Sequence, residues 1–296
     1  MIYTIYKVGF GIWNTLVGLA MTLFTTSPMA ANGDVYTITH NLYLAISSIS
    51  VPITMLFFLI AIIKEAVTTP PHQVIHKLLY SALKFCIMIG VLMNLWEIMG
   101  YIIQIADGIT SELAGATPYQ IAFPADLQNA INTALIAPTV TIDPLNLGSS
   151  VRSFIGAWFN YIVKYLIFII ASAVTTLIMV AFGLSVLSSA YQRIIKPLAI
   201  LPFSSITVAM ASGAGDAQRV TTSYLKTLFG FCLSGAFMVI CIKLGNALTS
   251  GGGIFNLNAV TDAMEKMLYI SIQTAINPII TAGLIKSSDH IIGRFF

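Results

Sequence analysis

Three charged side chains lie within apolar stretches of the chain and are the residues best placed to do chemistry inside a membrane. They are Glu97, Lys164 and Lys243. Burying a charge in hydrocarbon is costly, so such side chains pair, line a hydrated conduit or extend to the membrane surface. The expected topology places all three at similar depth, toward the outer third of the membrane. We predict that Glu97 pairs with Lys164 or Lys243 or that each side chain extends to the outer interface. A hydrated conduit lined by the three is the alternative.

Uncharged polar residues also lie in or beside the apolar stretches, Asn94 and Asn160 among them. In membrane proteins, side chains of this kind form hydrogen bonds between helices. We expect that role for both asparagines, and lining a pore is the alternative.

Catalytic and metal-binding signatures are absent from the sequence. It has no HExxH or GxSxG motif, and its acidic residues are scattered without a close intramembrane pair. His72 and His76 have the i, i+4 spacing of two ligands on one helix face. Only Glu65 lies near them, however, so a hydrated turn at the membrane surface is the preferred interpretation. The three cysteines lie in apolar runs without a CxxC pair and are expected to be packing residues. We expect neither enzymatic activity nor a metal or cofactor.

The composition favours a membrane protein. Hydrophobic residues make up 57% of the chain and charged residues only 8%, whereas soluble domains carry about 25% charged residues. The net charge of +3 and the lack of a long basic run give no support for a nucleic-acid-binding tail. We predict an all-α polytopic transmembrane helix bundle.

About five spans are expected, because roughly 20 consecutive apolar residues are needed to cross a bilayer as a helix. They belong to a transmembrane helical domain over residues 36–296. The spans lie near residues 41–63, 78–106, 160–191, 222–248 and 267–286.

The N-terminal region, residues 1–35, is treated separately. Its pattern predicts a weakly amphipathic helix that lies in the membrane interface or packs against other helices, with a tilted spanning helix as the alternative. Gly11, Asn14 and Gly18 share one stripe of this helix. We predict that this stripe is its packing face.

The loop over residues 107–150 contains four acidic residues and four prolines but no lysine or arginine. A short helix is predicted near residues 126–135. Because lysine and arginine concentrate in cytoplasmic connections, the loop is expected to be extracytoplasmic. The connections expected in the cytoplasm carry three groups of cations: Lys64 and Lys77; Arg193, Lys196, Arg219 and Lys226; and Lys286 and Arg294.

Residues 197–215 form an apolar segment that is too short and too broken to cross a bilayer. Pro197 and Pro202 interrupt it, and it ends in the turn formed by Gly213, Ala214, Gly215 and Asp216. The turn lacks the GK[ST] ending of a phosphate-binding loop. Irregular backbone at membrane depth must be surrounded by protein or by a water-filled cavity. We predict that this broken segment is re-entrant or lies inside the protein.

The order of these features resembles the TrbL family, the VirB-type polytopic membrane subunits of type IV secretion and conjugation machines. The resemblance is clearest at RIIKPLAILPFSSITVAMASGAGDAQRVTTSYLKTLFGFCLSG, residues 193–235. There a long helix ends in basic residues, followed by a proline-containing segment, a small and acidic turn and another apolar helix. The N-terminal helix and the five-span plan also look like that family.

The resemblance implies a multi-pass subunit of the bacterial cytoplasmic membrane that forms a homo-oligomer with other secretion-system subunits and cytoplasmic ATPases. Such subunits help to translocate single-stranded DNA with its relaxase, or protein substrates. No family catalytic residue is available to transfer. The resemblance also places the N-terminal helix and residues 107–150 near the outer assembly, and the broken segment toward the ATPases or the substrate entrance.

Two other functions remain open from the sequence. One is a stand-alone small-solute transporter or ion channel, for which the missing internal repeat is unfavourable. The other is a structural membrane anchor for a partner complex, which would tolerate polar substitutions within its spans.

Overall fold

In the computed structural model of the chain, the residues that the structure describes form helices joined by short turns. The described residues are 2–29, 33–68, 70–115, 120, 121, 123, 125–138, 147–213, 216–250 and 263–295. The helices are α1 (Ile2–Thr25), α2 (Gly33–Thr68), α3 (Pro71–Met93), α4 (Leu95–Gly115), α5 (Ala125–Ala134), α6 (Leu147–Ile200), α7 (Ser204–Ala209), α8 (Asp216–Ser250) and α9 (Ala263–Phe295). Two 3₁₀ turns, Leu201–Phe203 and Met210–Ser212, flank α7. The prediction of an all-α polytopic helix bundle is confirmed.

Within this described part of the chain, six helical stretches are long and apolar enough to cross a membrane, and the protein is a multi-pass membrane protein on this criterion. The sequence predicted about five, and the additional candidate is the N-terminal helix. The stretches are Ile2–Thr25, Gly33–Thr68, Gln73–Met93, Ser150–Ser212, Ala217–Leu248 and Met264–Ser288.

The predicted span over residues 78–106 is wrong as a single helix. It divides at Asn94, which has a φ of −107° and a ψ of 13° and ends α3. The side-chain amide of Asn94 donates to the carbonyl of Gly90 over 3.0 Å. The apolar run continues through this break without a proline or glycine to mark it, so composition alone joined two helices into one.

The predicted loop over residues 107–150 also begins too early. Helix α4 continues to Gly115, because Asp107 is buried and paired rather than exposed at a helix end. The short helix predicted near residues 126–135 is confirmed as α5. Residues 139–146 of the predicted loop lie outside the described residues.

The contacts divide the chain into two compact units. The first contains residues 1–20, 117–188 and 240–286. Its apolar core is built from pairs of residues about one helical turn apart, which share a helix face. These are Ile2 and Tyr6 of α1, Leu127 and Ile131 of α5, and Met267 and Ile270 of α9, together with Phe168 of α6.

The second unit contains residues 21–116, 189–239 and 287–296. One face of α4 supplies much of its core, because Leu95, Met99, Ile103 and Ala106 recur every three or four residues. They are joined in the core by Tyr43, Leu92, Leu201, Val208, Ala209, Leu228 and Cys232.

The broken segment begins later than predicted. Pro197 lies inside α6, which continues to Ile200, because a proline removes one helical hydrogen bond but does not always end a helix. The break occurs at the 3₁₀ turn that starts with Leu201 and contains Pro202. From there the segment packs against α2 and α3, so it lies inside the protein within the second unit.

Candidate functional site

A buried ion pair joins α6 to α4 in the second unit. Nη2 of Arg193 donates to Oδ1 of Asp107 over 2.9 Å. The arginine side chain is 1% exposed and the aspartate side chain 12%. Nη1 of Arg193 also donates to the backbone carbonyl of Phe24 near the end of α1. The last carbonyls of a helix lack helical donors and lie at the negative end of its dipole, so a guanidinium is well suited to that position.

Gly235 of α8 provides the space for this guanidinium. A Cβ atom built at Gly235 would overlap Nε, Cζ and Cδ of Arg193. The site therefore requires a residue without a side chain on α8. Together with Asp107 and Phe24, Gly235 places the arginine where residues of α1, α4, α6 and α8 meet.

This arrangement is suited to holding helices together rather than to catalysis. Two charges taken out of water offset part of their desolvation cost when they face each other closely, and removing either partner is strongly destabilising. With 1% of its side chain exposed, Arg193 has no open side for a substrate. Within the described residues, no group of three or more histidine, cysteine, aspartate or glutamate residues is arranged to hold a metal ion.

The ion pair corrects the predicted topology. Arg193 was expected beside a cytoplasmic turn and Asp107 at the start of an extracytoplasmic loop. Their side chains are 2.9 Å apart, so the two residues lie at the same depth. The rule that places cations in the cytoplasm applies to exposed connections, whereas this arginine is buried.

Glu97 is exposed on the first turn of α4, and its side chain lines a cavity of about 420 Å³ in the second unit. The wall beside it is aromatic, with Tyr36, Trp96 and Tyr101. The indole Nε1 of Trp96 donates to the hydroxyl of Tyr36 over 3.1 Å. The structure thus places this predicted intramembrane charge in the wall of a cavity.

The other two predicted charges lie in the first unit. Lys164 of α6 and Lys243 of α8 are each partly exposed. The proposed pairing of either lysine with Glu97 stays a prediction. Asn160 is exposed on α6, and its expected hydrogen bond to another helix also stays a prediction. Asn94 acts as the end of α3 instead of joining two helices through its side chain.

Hydrogen bonds fix both ends of the broken segment within the second unit. The hydroxyl of Ser212 donates to the backbone carbonyl of Thr54 in α2 over 3.1 Å. Nζ of Lys84 in α3 donates to the carbonyl of Gly213 over 3.1 Å. Near the other end, the hydroxyl of Tyr224 in α8 donates to the carbonyl of Ile200 over 3.1 Å. Side chains of α3 and α8 therefore satisfy backbone carbonyls that a broken helix leaves without donors, and Ser212 of the segment donates in the other direction, to α2.

Of the residues predicted to form the turn, only some contribute to this packing. Gly213 is buried and has extended backbone, with a φ of −75° and a ψ of −179°, so its conformation does not require glycine. A glycine at this position instead allows close packing, because a Cβ atom there would lie 3.2 Å from the Phe57 ring. Asp216 is the first residue of α8, and Gly215 lies outside the described residues.

The predicted packing stripe of α1 is only partly correct. Gly11 is exposed, and a Cβ atom there would meet no atom within 4 Å, while Gly18 is partly buried. Asn14 does make contacts, because its amide both donates to the carbonyl of Ile121 and accepts from its N–H, each over 3.0 Å. The close approach of α1 to α6 occurs instead at Gly9, where a Cβ atom would lie 2.8 Å from Oγ1 of Thr176.

Sequence reasoning missed the two best-defined features of the second unit. Nothing in the spacing of Asp107 and Arg193 links them, since they are 86 residues apart. The aromatic wall did carry a signal, because Tyr36, His40 and Tyr43 recur at i, i+4 and i+7 and so share one face of α2. The structure places the Trp96 ring 4.6 Å from that of His40 and 5.0 Å from that of Tyr43.

Comparison of the chain with family models, curated proteins and solved structures finds no match to any of them.

Proposed function

We propose that this chain is a membrane channel or scaffold subunit of a type IV secretion, or conjugative transfer, machine in the bacterial cytoplasmic membrane. It would work as a homo-oligomer with other secretion-system subunits and cytoplasmic ATPases. Its cargo would be single-stranded DNA with a relaxase, or protein substrates. The resemblance of residues 193–235 to the TrbL family supports the choice of machine.

The observation that carries the proposal is the length and exposure of α6. This helix has 54 residues, which at 1.5 Å per residue is about 80 Å, while the hydrocarbon core of a bilayer is about 30 Å thick. Its charge-free part, residues 165–192, is enough to cross the membrane. The preceding part, residues 147–164, is therefore additional length that a simple membrane anchor does not need.

An apolar stripe runs along that additional part. Val151, Ile155, Phe159 and Ile162 are exposed at positions that share one face of α6. The only charges in residues 147–164 are Arg152 and Lys164. An exposed apolar surface of this kind is typical of a protein or membrane interaction site. Assembly of several copies through α6 accounts for both the length and the stripe.

A transfer assay tests the role in the cell. Deletion of the gene from the conjugative element that carries it should abolish transfer while leaving growth normal, and an intact copy supplied in trans should restore transfer. Normal transfer in the deletion strain would contradict the proposal and leave the anchor and solute-transporter functions as the alternatives.

Crosslinking tests the assembly. In a Cys86→Ser background, which removes the exposed native thiol, cysteine at Ile155 or Phe159 should give a crosslinked dimer, the largest product that one accessible thiol per chain allows, in membranes that contain the partner subunits. Cysteine at Phe168, which is fully buried in the core of the first unit, is the matched control on the same helix and should stay monomeric. Monomers at all three positions would argue against a ring built through α6.

A further inference from the structure

We propose that the cavity at the start of α4 binds an organic ammonium group. Its volume of about 420 Å³ lies within the range of small-molecule sites, roughly 300–1,000 Å³. The wall combines three aromatic side chains, Tyr36, Trp96 and Tyr101, with the carboxylate of Glu97. Aromatic faces attract cations through the ring quadrupole, and such walls are used for the recognition of quaternary ammonium ligands.

Contacts within the protein hold two of the three rings of the aromatic wall, Trp96 and Tyr36, in place. Trp96 donates its indole N–H to the hydroxyl of Tyr36 over 3.1 Å, and the two rings meet edge to face with centroids 5.6 Å apart. The rings of His40 and Tyr43 contact Trp96 from the same face of α2. Because these contacts hold the indole in place, little rotamer freedom is left to lose on binding, which favours affinity.

The carboxylate supplies the charge that an ammonium group requires. Glu97 forms no ion pair with any described residue of the chain, and its side chain is exposed in the cavity wall. The side chains of Gln104 and Met29 complete the lining without adding a cation. The cavity wall thus combines aromatic rings with a negative charge, which selects against anions.

Tyrosine and tryptophan also collect at membrane interfaces for reasons unrelated to ligands. Binding at such a belt depends on ring area and not on one carboxylate. The dependence of affinity on Glu97 therefore separates the proposed site from a general aromatic belt.

The experiment uses the full chain in nanodiscs of phosphatidylglycerol, with tetraethylammonium as the probe and tryptophan emission as the signal. Saturable quenching is expected, with about fivefold weaker affinity in Glu97→Gln and in Tyr101→Leu, the change in equilibrium constant expected for loss of about 1 kcal/mol. Glu112→Gln is the matched control, since Glu112 is exposed on the same helix outside the cavity, and it should bind as the unchanged chain does.

The source of the ammonium group is tested by adding phosphatidylethanolamine to the nanodiscs. Weaker tetraethylammonium binding in these discs identifies a lipid headgroup as the ligand, and unchanged binding identifies a free amine. Either result supports an ammonium site. Absence of saturable binding, or equal affinities in Glu97→Gln and Glu112→Gln, would overturn the proposal.

Discussion

At the scale of single residues, the ion pair between Arg193 and Asp107 makes the sharpest energetic prediction. Asp107→Asn leaves the buried guanidinium without its counter-charge, and breaking a buried pair in this way costs about 3–5 kcal/mol. We expect a much lower unfolding temperature in detergent, with Asp34→Asn near the start of α2 as a control that has little effect.

The double variant Asp107→Leu with Arg193→Met separates the energy of the pair from the cost of an unpaired charge. Replacing both partners with apolar residues is often neutral or stabilising, so its stability should exceed that of Asp107→Asn. A double variant at least as unstable as the single variant would show that the guanidinium is needed for more than neutralising the aspartate, for example for its bond to the Phe24 carbonyl.

Sequence reasoning identified residue types at this scale better than residue partners. Glu97 was singled out as a candidate intramembrane charge that pairs or extends to the interface, and the structure places its side chain in a cavity wall. Arg193 was assigned to an exposed connection because a chain position carries no information on burial. The buried position of Arg193 depends on the space left by Gly235, which lies more than 40 residues further along the chain. No local sequence pattern encodes that dependence.

At the scale of elements, we predict that the buried side of its first turn holds the broken segment in place in the second unit. Leu201 is fully buried in the core of the second unit, while Phe203, two residues later, is 55% exposed. Leu201→Ala should cost about 2–5 kcal/mol through the cavity that it leaves, and Phe203→Ala should cost much less. Thermal unfolding of both variants in detergent checks this difference.

Equal losses of stability in the two variants would place the segment at the surface of the protein, in contradiction to its packing against α2 and α3.

A second prediction at this scale concerns the contact between α1 and the backbone at Ile121. Asn14→Ala removes both the acceptor and the donor that bind this backbone, at a net cost of about 0.5–1.5 kcal/mol for each hydrogen bond. Amide hydrogen exchange at Ile121 should become roughly tenfold faster. Thr15→Ala, an exposed neighbour whose hydroxyl bonds only within α1, is the control, and unchanged exchange in Asn14→Ala would refute the contact.

Elements were predicted well where a composition change marked their ends and poorly where none did. The short helix α5 was expected close to its observed position, and the span predicted at residues 41–63 lies within the longer helix α2. Helices α3 and α4 were merged because no proline or glycine marks the break at Asn94. Pro197 was expected to end α6, yet the helix continues past it, because tertiary contacts decide whether a proline ends a helix or only weakens it.

At the scale of the whole molecule, the composition was sufficient to predict a helical membrane protein, but not how its surfaces are used. A side chain exposed on one copy faces lipid, water or another subunit, and apolar residues are favoured by lipid and by a subunit interface but not by water. The use of the exposed surface can be tested on α6, because this helix carries both a buried phenylalanine and an exposed one.

Phe168 and Phe159 are this pair, nine residues apart on α6. Phe168 is fully buried in the core of the first unit, whereas Phe159 is 69% exposed. Phe168→Ala should lower the free energy of unfolding by about 3–5 kcal/mol. Phe159→Ala should leave the stability of the single chain nearly unchanged but reduce the fraction of oligomer, because its ring contributes to the exposed stripe. Light scattering after size-exclusion chromatography measures the oligomer, and thermal unfolding measures the stability.

An unchanged oligomer fraction in both Phe159→Ala and Ile155→Ala would mean that lipid, rather than another copy, covers the stripe, and α6 would then lose its proposed role in assembly.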